Sequence, residues 1–239
     1  MSEIVANPLG KPLEFTPSPM PPLDLVLETP EVRLEPLSPD HASDLEAAFR
    51  NHDELWDYMP SGPFADLPAF TNWIKSRAGQ RDPLFLAIID KSAGRAVGFA
   101  SFMRIAPKDG VIEVGGIAFS PALQGTRLAT EAMYLMMQWA FTNGYRRYEW
   151  KCHSLNHPSR RAAQRLGFSY EGLFRNHMVI KGRNRDTAWF AIIEEDWPAL
   201  DAAFKAWLSP ANFDENGHQI QPLSVLTNPL LKTIDPGMI

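Results

Sequence analysis

Residues 110–143 read GVIEVGGIAFSPALQGTRLATEAMYLMMQWAFTN. An apolar run carrying a double glycine, Gly115-Gly116, leads to Ser120-Pro121 and then to Gln124-Gly125-Thr126-Arg127-Leu128-Ala129-Thr130. A helical pattern follows. Leu128, Ala132, Leu135, Met136 and Trp139 give it an apolar face, and Arg127, Glu131, Tyr134, Gln138 and Thr142 a polar stripe at steps of three and four. Asn143-Gly144 tolerates the left-handed backbone that closes a helix. Strand, tight loop and helix make an anion-binding geometry in outline. The loop and the first helical turn offer unpaired N–H groups, and the helix dipole favours negative charge. A double glycine inside a strand pattern is what a bulge or a close backbone approach selects.

Upstream, Leu84–Ile89 is a continuous apolar run expected as a buried strand, Asp90–Arg95 a hairpin turn, and Ala96–Met103 its partner. Val32–Leu37 alternates and reads as a first strand. Ser38 can cap the helix that follows, but His41 stands where a capping box would place a glutamate. Leu55–Met59 reads as a short helix ended by the turn Pro60–Pro63, and Asp66–Gln80 as a longer one. Downstream, Tyr148–Cys152 alternates as a strand. His157 is a candidate cap, with Pro158 suited to the first helical position of a basic helix that ends at Gly167. Ser169–Ile180 and Thr187–Ile193 read as strands joined by a turn over Gly182–Asp186, and Asp196-Trp197-Pro198 opens a last helix. Six or seven strands and four or five helices point to a mixed α/β or α+β fold in one domain.

Nine of the 21 prolines lie before residue 40, which keeps residues 1–30 out of helix. That arm is expected either to be flexible or draped on the surface, or to serve recognition or dimer swapping. Residues 31–208 are expected as the folded domain, and residues 209–239 as a C-terminal extension. The formal net charge is −5, which gives no electrostatic footprint for nucleic acid. No apolar run reaches the ~20 residues of a membrane span, and the N-terminus has no signal-peptide pattern. The single cysteine, Cys152, excludes an internal disulfide and fits a reducing, cytoplasmic compartment. His153, His157 and His177 lack metal-ligand spacing, so no metal is expected.

The order of elements, the loop Gln124–Ala129 and the run Asn156-His157-Pro158-Ser159 leading to Leu166-Gly167-Phe168 resemble the GNAT superfamily of acetyl-CoA-dependent N-acetyltransferases. The resemblance is nearest to the ribosomal-protein N-terminal acetyltransferase branch. That branch has Asn-x-x-Ser, a helix ending in Leu-Gly-Phe, and a basic turn with an aspartate, here Arg183-Asn184-Arg185-Asp186. Leu55–Pro63 is also similar to it. The likeness covers residues 31–208. It implies a central, mostly antiparallel sheet with one splayed parallel pair, flanked by helices.

By that resemblance, acetyl-CoA is the co-substrate and a primary amine the acceptor, either a peptide N-terminus or a small amine such as an antibiotic or polyamine. A non-catalytic acyl-CoA-binding module is the alternative outside enzymes, and the protein would be a monomer or homodimer. Gln124, Gly125, Thr126, Arg127, Leu128, Ala129 and Thr130 would bind the pyrophosphate. Arg127 replaces the family's central glycine, and would either point outward or add charge to the phosphates. Ile117, Ala118 and Phe119 would present backbone N–H groups to the pantetheine and thioester, and Asn156 would hold the pantetheine amide. Glu113 is the candidate general base. Ser159 would contact the cofactor and act as candidate proton donor, since Ala163 stands where many relatives carry a tyrosine acid. Arg160, Arg161 and Arg165 form a basic helix face. Trp56, Tyr58, Met59 and Phe64 could line an acceptor pocket or pack in the core. Cys152 is not needed as a nucleophile.

Overall fold

The structure, a computed structural model, describes residues 9–238, so the first eight residues of the proline-rich arm lie outside the described residues. In chain order come β1 (Leu27–Glu28), β2 (Val32–Pro36), α1 (Ala42–Phe49), α2 (Leu67–Arg77), β3 (Leu84–Asp90), β4 (Arg95–Ala106) and β5 (Val111–Phe119). Then follow α3 (Arg127–Thr142), β6 (Arg147–His153), α4 (His157–Arg165), β7 (Ser169–Ile180), β8 (Arg183–Ile193), α5 (Trp197–Leu208) and α6 (Leu223–Thr227). The strands form one sheet in the order β1-β2-β3-β4-β5-β6-β8-β7. Every pairing is antiparallel except β5 with β6.

The sheet is buried on both faces at its centre, which is why β3 is apolar without alternation. Leu84, Leu86 and Ile88 join Phe102, Ile112 and Tyr148 in the main core, where α3 and α5 also pack. Phe85 and Ala87 belong to a second cluster with Phe49, Trp56, Phe70 and Phe99, covered by α1 and α2. Trp56 and Phe64 pack edge-on within this cluster, 5.1 Å between ring centres.

The bulge expected at the double glycine is present. Phe99 pairs with Ala118 and Ser101 with Gly115, so β5 carries one residue more than β4 across this interval. Gly116 takes up the extra residue at φ +57, where a Cβ would lie 2.8 Å from the Phe85 ring. Gly116→Ala is therefore expected to cost about 2–4 kcal/mol from left-handed backbone plus overpacking. An unchanged urea midpoint would contradict this.

Several local expectations are corrected. His41 does complete a capping box. Its Nδ1 accepts from the Ser38 N–H at 3.1 Å, and Glu35 Oε1 lies 3.0 Å from its Nε2, so an imidazole serves where a glutamate was looked for. The Leu55–Met59 segment is instead a 3-10 turn over Asp53–Trp56, and α2 begins after an Asp66 cap that accepts from the Ala69 N–H. The polar stripe of α3 is covered at its centre, while Thr142 at its end is exposed. Glu131 and Tyr134 are buried, with Tyr134 stacked on Phe204 of α5 and its hydroxyl donating to Asp201 at 2.8 Å. The cap of α4 is Asn156, not His157. The last hairpin turns at Lys181-Gly182, both at positive φ, so Arg183–Asp186 belongs to β8.

Residues 18–25 of the arm and residues 232–235 near the other end lie against the sheet and its helices. In the arm, Ser18 donates to the Gly144 carbonyl at 2.9 Å, Tyr145 donates to the Pro19 carbonyl at 2.7 Å, and Leu25 is buried in the main core. Near the other end, Lys232 and Thr233 bond to Ser169 and Tyr170 at the start of β7.

Candidate active site

The parallel pairing of β5 with β6 runs from Val111 opposite Arg147 to Val114 opposite Trp150, and stops there. Beyond that rung β5 stays paired with β4, and β6 with β8. Two strands that part in the middle of a sheet leave facing backbone groups without ladder partners, a cost that a ligand lying in the gap would relieve. The gap opens into a cavity of about 350 Å³. Gly115, Gly116 and Ile117 line it from β5, Trp150 and Cys152 from β6, and Asn156 and Ser159 from α4.

Glu113 stands one residue before the splay and is 2% exposed. Its carboxylate accepts from Arg104 Nη1 at 2.9 and 3.1 Å and lies 2.8 Å from Lys151 Nζ. Lys151 also donates to Glu149 at 2.6 Å and sits 3.9 Å from the centre of the Trp189 ring. Burial pushes the Glu149 carboxyl up, but hydrogen bonds from Lys151 and Arg147 outweigh it and hold the group below its usual range. Arg104 reaches Glu113 from a left-handed residue, φ +47, where β4 bulges. Asp82 secures that bulge by accepting from the N–H groups of Arg104 and Ile105 at 2.8 and 3.0 Å.

At the start of α4, Asn156 Oδ1 accepts from the Ser159 N–H at 3.1 Å, and Ser159 Oγ accepts from Trp150 Nε1 at 3.0 Å. The Cys152 thiol beside them is pushed up to about 11 by burial. His153 is lowered by burial and then by Arg185, and its Nδ1 accepts the Leu155 N–H at 3.1 Å. It is therefore neutral at pH 7, with its proton on Nε2.

At the start of α3, Thr126 caps the helix by accepting from the Ala129 N–H at 3.1 Å. Gln124 donates its side chain to the Phe119 carbonyl at 3.0 Å. The N–H groups of Arg127 and Leu128 have no acceptor among the described residues, as expected of a first helical turn. The Arg127 side chain turns away. It donates to the Leu208 carbonyl at 2.9 Å and lies 4.7 Å from the Phe213 ring centre. Thr130 accepts from Arg165 Nη2 at 3.0 Å, which sets a guanidinium beside this turn.

Of the residues singled out by sequence, Glu113, Ile117, Asn156 and Ser159 line one cavity. Ala118, Phe119 and Gln124–Thr130 lie outside its lining, along the end of β5 and the start of α3. Tyr58 and Met59 face the cavity, whereas Trp56 and Phe64 are in the core. The basic face of α4 divides: Arg160 pairs with buried Asp235, Arg165 bonds Thr130, and Arg161 is exposed. Arg77, Arg104 and Lys151 also line the cavity and were not singled out, and so does Arg185, which was quoted only within the basic turn Arg183–Asp186. The alternation of Tyr148–Cys152 put Lys151 on a strand, and only the β5–β6 pairing reveals its partner Glu113. Among the described residues no cluster of three or more potential metal ligands occurs. No helix there is long and apolar enough to cross a membrane.

A parallel strand pair that splays beside a capped helix start is the architecture of a GNAT acetyltransferase. Residues 31–169 match the family model described as an acetyltransferase (GNAT) domain, more than half of the chain, and the protein belongs to that family. It is similar to a GCN5-related N-acetyltransferase from Brucella melitensis, at 45% identity over 90% of this chain and 98% of that one, with a TM-score of 0.86. It is 26% identical over 152 residues to an uncharacterized N-acetyltransferase, YnaD, from Bacillus subtilis, spanning 62% of this chain and 86% of that protein. The ribosomal L7/L12 α-N-protein acetyltransferase RimL is alike in fold, with a TM-score of 0.61 at 19% identity over 71% of this chain and 94% of that one. The family uses acetyl-CoA and acts on amine acceptors.

Proposed function

We propose that this enzyme transfers an acetyl group from acetyl-CoA to a primary α-amine, in the first place that of a peptide N-terminus, by direct attack of the neutral amine. The observation that carries the reading is the position of the splay. Pairing ends one residue after Glu113, so a buried carboxylate stands at the opening of the gap. When bound, acetyl-CoA supplies the acetyl group already activated as a thioester. The free N–H groups of the first α3 turn suit its pyrophosphate, each such contact being worth about 0.3–1 kcal/mol, and Arg165 adds a cation nearby. Arg127 contributes its backbone; its side chain is engaged with Leu208 and Phe213. The backbone of Ile117, Ala118 and Phe119, past the last β6 rung, would face the pantetheine and polarise the thioester carbonyl. Asn156 spends its oxygen on the helix cap, which leaves its amide N–H groups for the pantetheine. Ser159 accepts the indole N–H of Trp150, which orients its own hydroxyl proton for donation to the departing thiolate.

Glu113 takes the proton from the amine. A lysine-type amine costs about 4–5 kcal/mol to deprotonate at pH 7, and an α-amine about 1. Arg77 and Arg185, which line the cavity without an ion-pair partner among the described residues, further disfavour an ammonium at that place. A modest base therefore suffices. A second reading, a small acceptor, is favoured by the cavity volume of about 350 Å³, which lies in the range of small-molecule sites. The same two unpaired cations argue against polyamines. The lone buried cysteine suits the reducing cytoplasm as the place of reaction.

The test is steady-state CoA release with acetyl-CoA and a panel of α-amine peptides, amino acids and polyamines. Intersecting, sequential kinetics are expected. Cys152→Ala is expected to keep that pattern, and native Cys152 to resist iodoacetamide at pH 8. A ping-pong pattern with an isolable acetyl-enzyme would sink direct attack. Acetyl-CoA binding without turnover on any amine would favour a non-catalytic acyl-CoA module.

A further inference from the structure

Arg185 lines the cavity from β8 and has no carboxylate within ion-pair distance among the described residues. Its guanidinium makes one hydrogen bond, from Nε to Thr187 Oγ1 at 3.2 Å, and both terminal nitrogens lack an acceptor among the described residues. Burial holds this guanidinium below its ordinary range, with Arg104 nearby adding to the effect. A guanidinium partly removed from water whose neighbouring carboxylate, Glu113, is already engaged by Arg104 and Lys151 is costly, and an anionic ligand would repay it. Arg77 of α2 lines the same cavity, 5.9 Å from the Trp73 ring centre, and it too makes no ion pair among the described residues. Arg104 and Lys151 are balanced by Glu113 and Glu149, so the surplus charge at this end belongs to Arg77 and Arg185. The donor's phosphates are accounted for at the start of α3. The thioester arm that reaches the cavity is uncharged. The anion must therefore arrive with the acceptor.

We propose that the acceptor carries a carboxylate close to its reacting amine, and that Arg185, with Arg77, binds it: the acceptor is an amino acid, or a peptide with an acidic side chain near its N-terminus. This rests on the acetyltransferase reading above and names the substrate class of the same site. A planar fork of N–H donors matches a carboxylate in two hydrogen bonds, which fixes the orientation of the amine as well as its presence. The acidic group would also offset the cations that otherwise keep an approaching substrate ammonium away.

The experiment compares acceptors that differ only in the carboxylate: glycine against glycinamide, and C-terminally amidated Ser-Asp against Ser-Asn, with spermidine as a polycation. Rates are compared per unprotonated amine, because the carboxylate raises the amine's own pKa. The expected result is a kcat/KM preference of about ten- to a hundredfold for the carboxylate member of at least one pair. Arg185→Gln is expected to collapse that ratio, through KM rather than kcat. Arg77→Gln, on a helix surface, is expected to reduce it too and serves if the first variant does not fold. The glycine pair and the peptide pair distinguish a free amino acid from an acidic N-terminus, and a preference in either supports the proposal. Equal or better turnover of the amides and spermidine, or an unchanged ratio in both variants, overturns it while leaving the acetyltransferase intact. CoA release with none of these acceptors overturns both.

Discussion

Glu113→Gln is expected to lower kcat by about ten- to a hundredfold, at or below the low end of a general base's usual contribution because an α-amine asks little of it, with a much smaller change in KM for either substrate. The amide is isosteric and still accepts from Arg104. Lys151 loses one carboxylate but keeps Glu149 at 2.6 Å and the face of Trp189, so the buried ammonium is not orphaned. Rapid-quench measurement of the acetyl-transfer step separates chemistry from product release. The size of the loss also decides what the cations do. An α-amine needs only about 1 kcal/mol to reach its neutral form at pH 7, and the unpaired Arg77 and Arg185 reduce even that. A loss below twofold would therefore remove the proton-acceptor role from Glu113. Deprotonation would then rest with solvent and the positive surroundings.

The second large effect lies away from the cavity. Asp235 is fully buried and accepts from Arg160 through both Nε, at 2.6 Å, and Nη2. Arg160 Nη1 donates onward to the Ser154 carbonyl at 2.7 Å, in the turn that leads to Asn156 and Ser159. Asp235→Ala leaves a buried guanidinium without a counter-charge, at a cost of about 3–5 kcal/mol. At roughly 2–4 °C per kcal/mol for a chain of this length, the melting midpoint is expected to fall by roughly 6–20 °C. The start of α4 loosens with it, so KM for acetyl-CoA is expected to rise. Asp235→Asn, which keeps an acceptor, should lose less of both. Calorimetry together with acetyl-CoA titration checks this, and an unchanged midpoint would mean that Arg160 finds another partner.

Features governed by neighbours in sequence were legible before any coordinates. The double glycine marked the bulge because only glycine takes φ +57 against Phe85 at no cost. Asn143-Gly144 marked the end of α3, and the apolar run of β3 marked a strand covered on both faces. What escaped depends on partners far along the chain. Tyr134 read only as part of a polar stripe because α5, more than sixty residues later, is what covers it. His41 was passed over because a capping box is looked for as a carboxylate, whereas an imidazole nitrogen can reach the same N–H. The start of β8 was hidden because Arg183–Asp186 shows no alternation; it pairs with a bulged β7 whose Asn176 N–H is held by Asp186 at 2.7 Å. Half of the candidate site lay on one strand and one helix start and could be named. The other half, Arg77, Arg104, Lys151 and Arg185, comes from four separate elements that only the sheet order brings together.

That sheet order also bears on how the protein is made. From β1 to β6 each new strand finds its neighbour already synthesised, so the sheet can grow by addition as the chain leaves the ribosome. The last two strands break this rule. β7 emerges first yet occupies the outer edge, and its only strand partner among the described residues is β8, which must come later and insert beside β6. The β6 edge therefore stays open until β8 is delivered, and Arg185 arrives with it. The cavity is thus among the last parts of the molecule to be assembled. A nascent chain stalled before β8 would carry Glu113 on β5 while still lacking Arg185 and the side of the cavity that it lines.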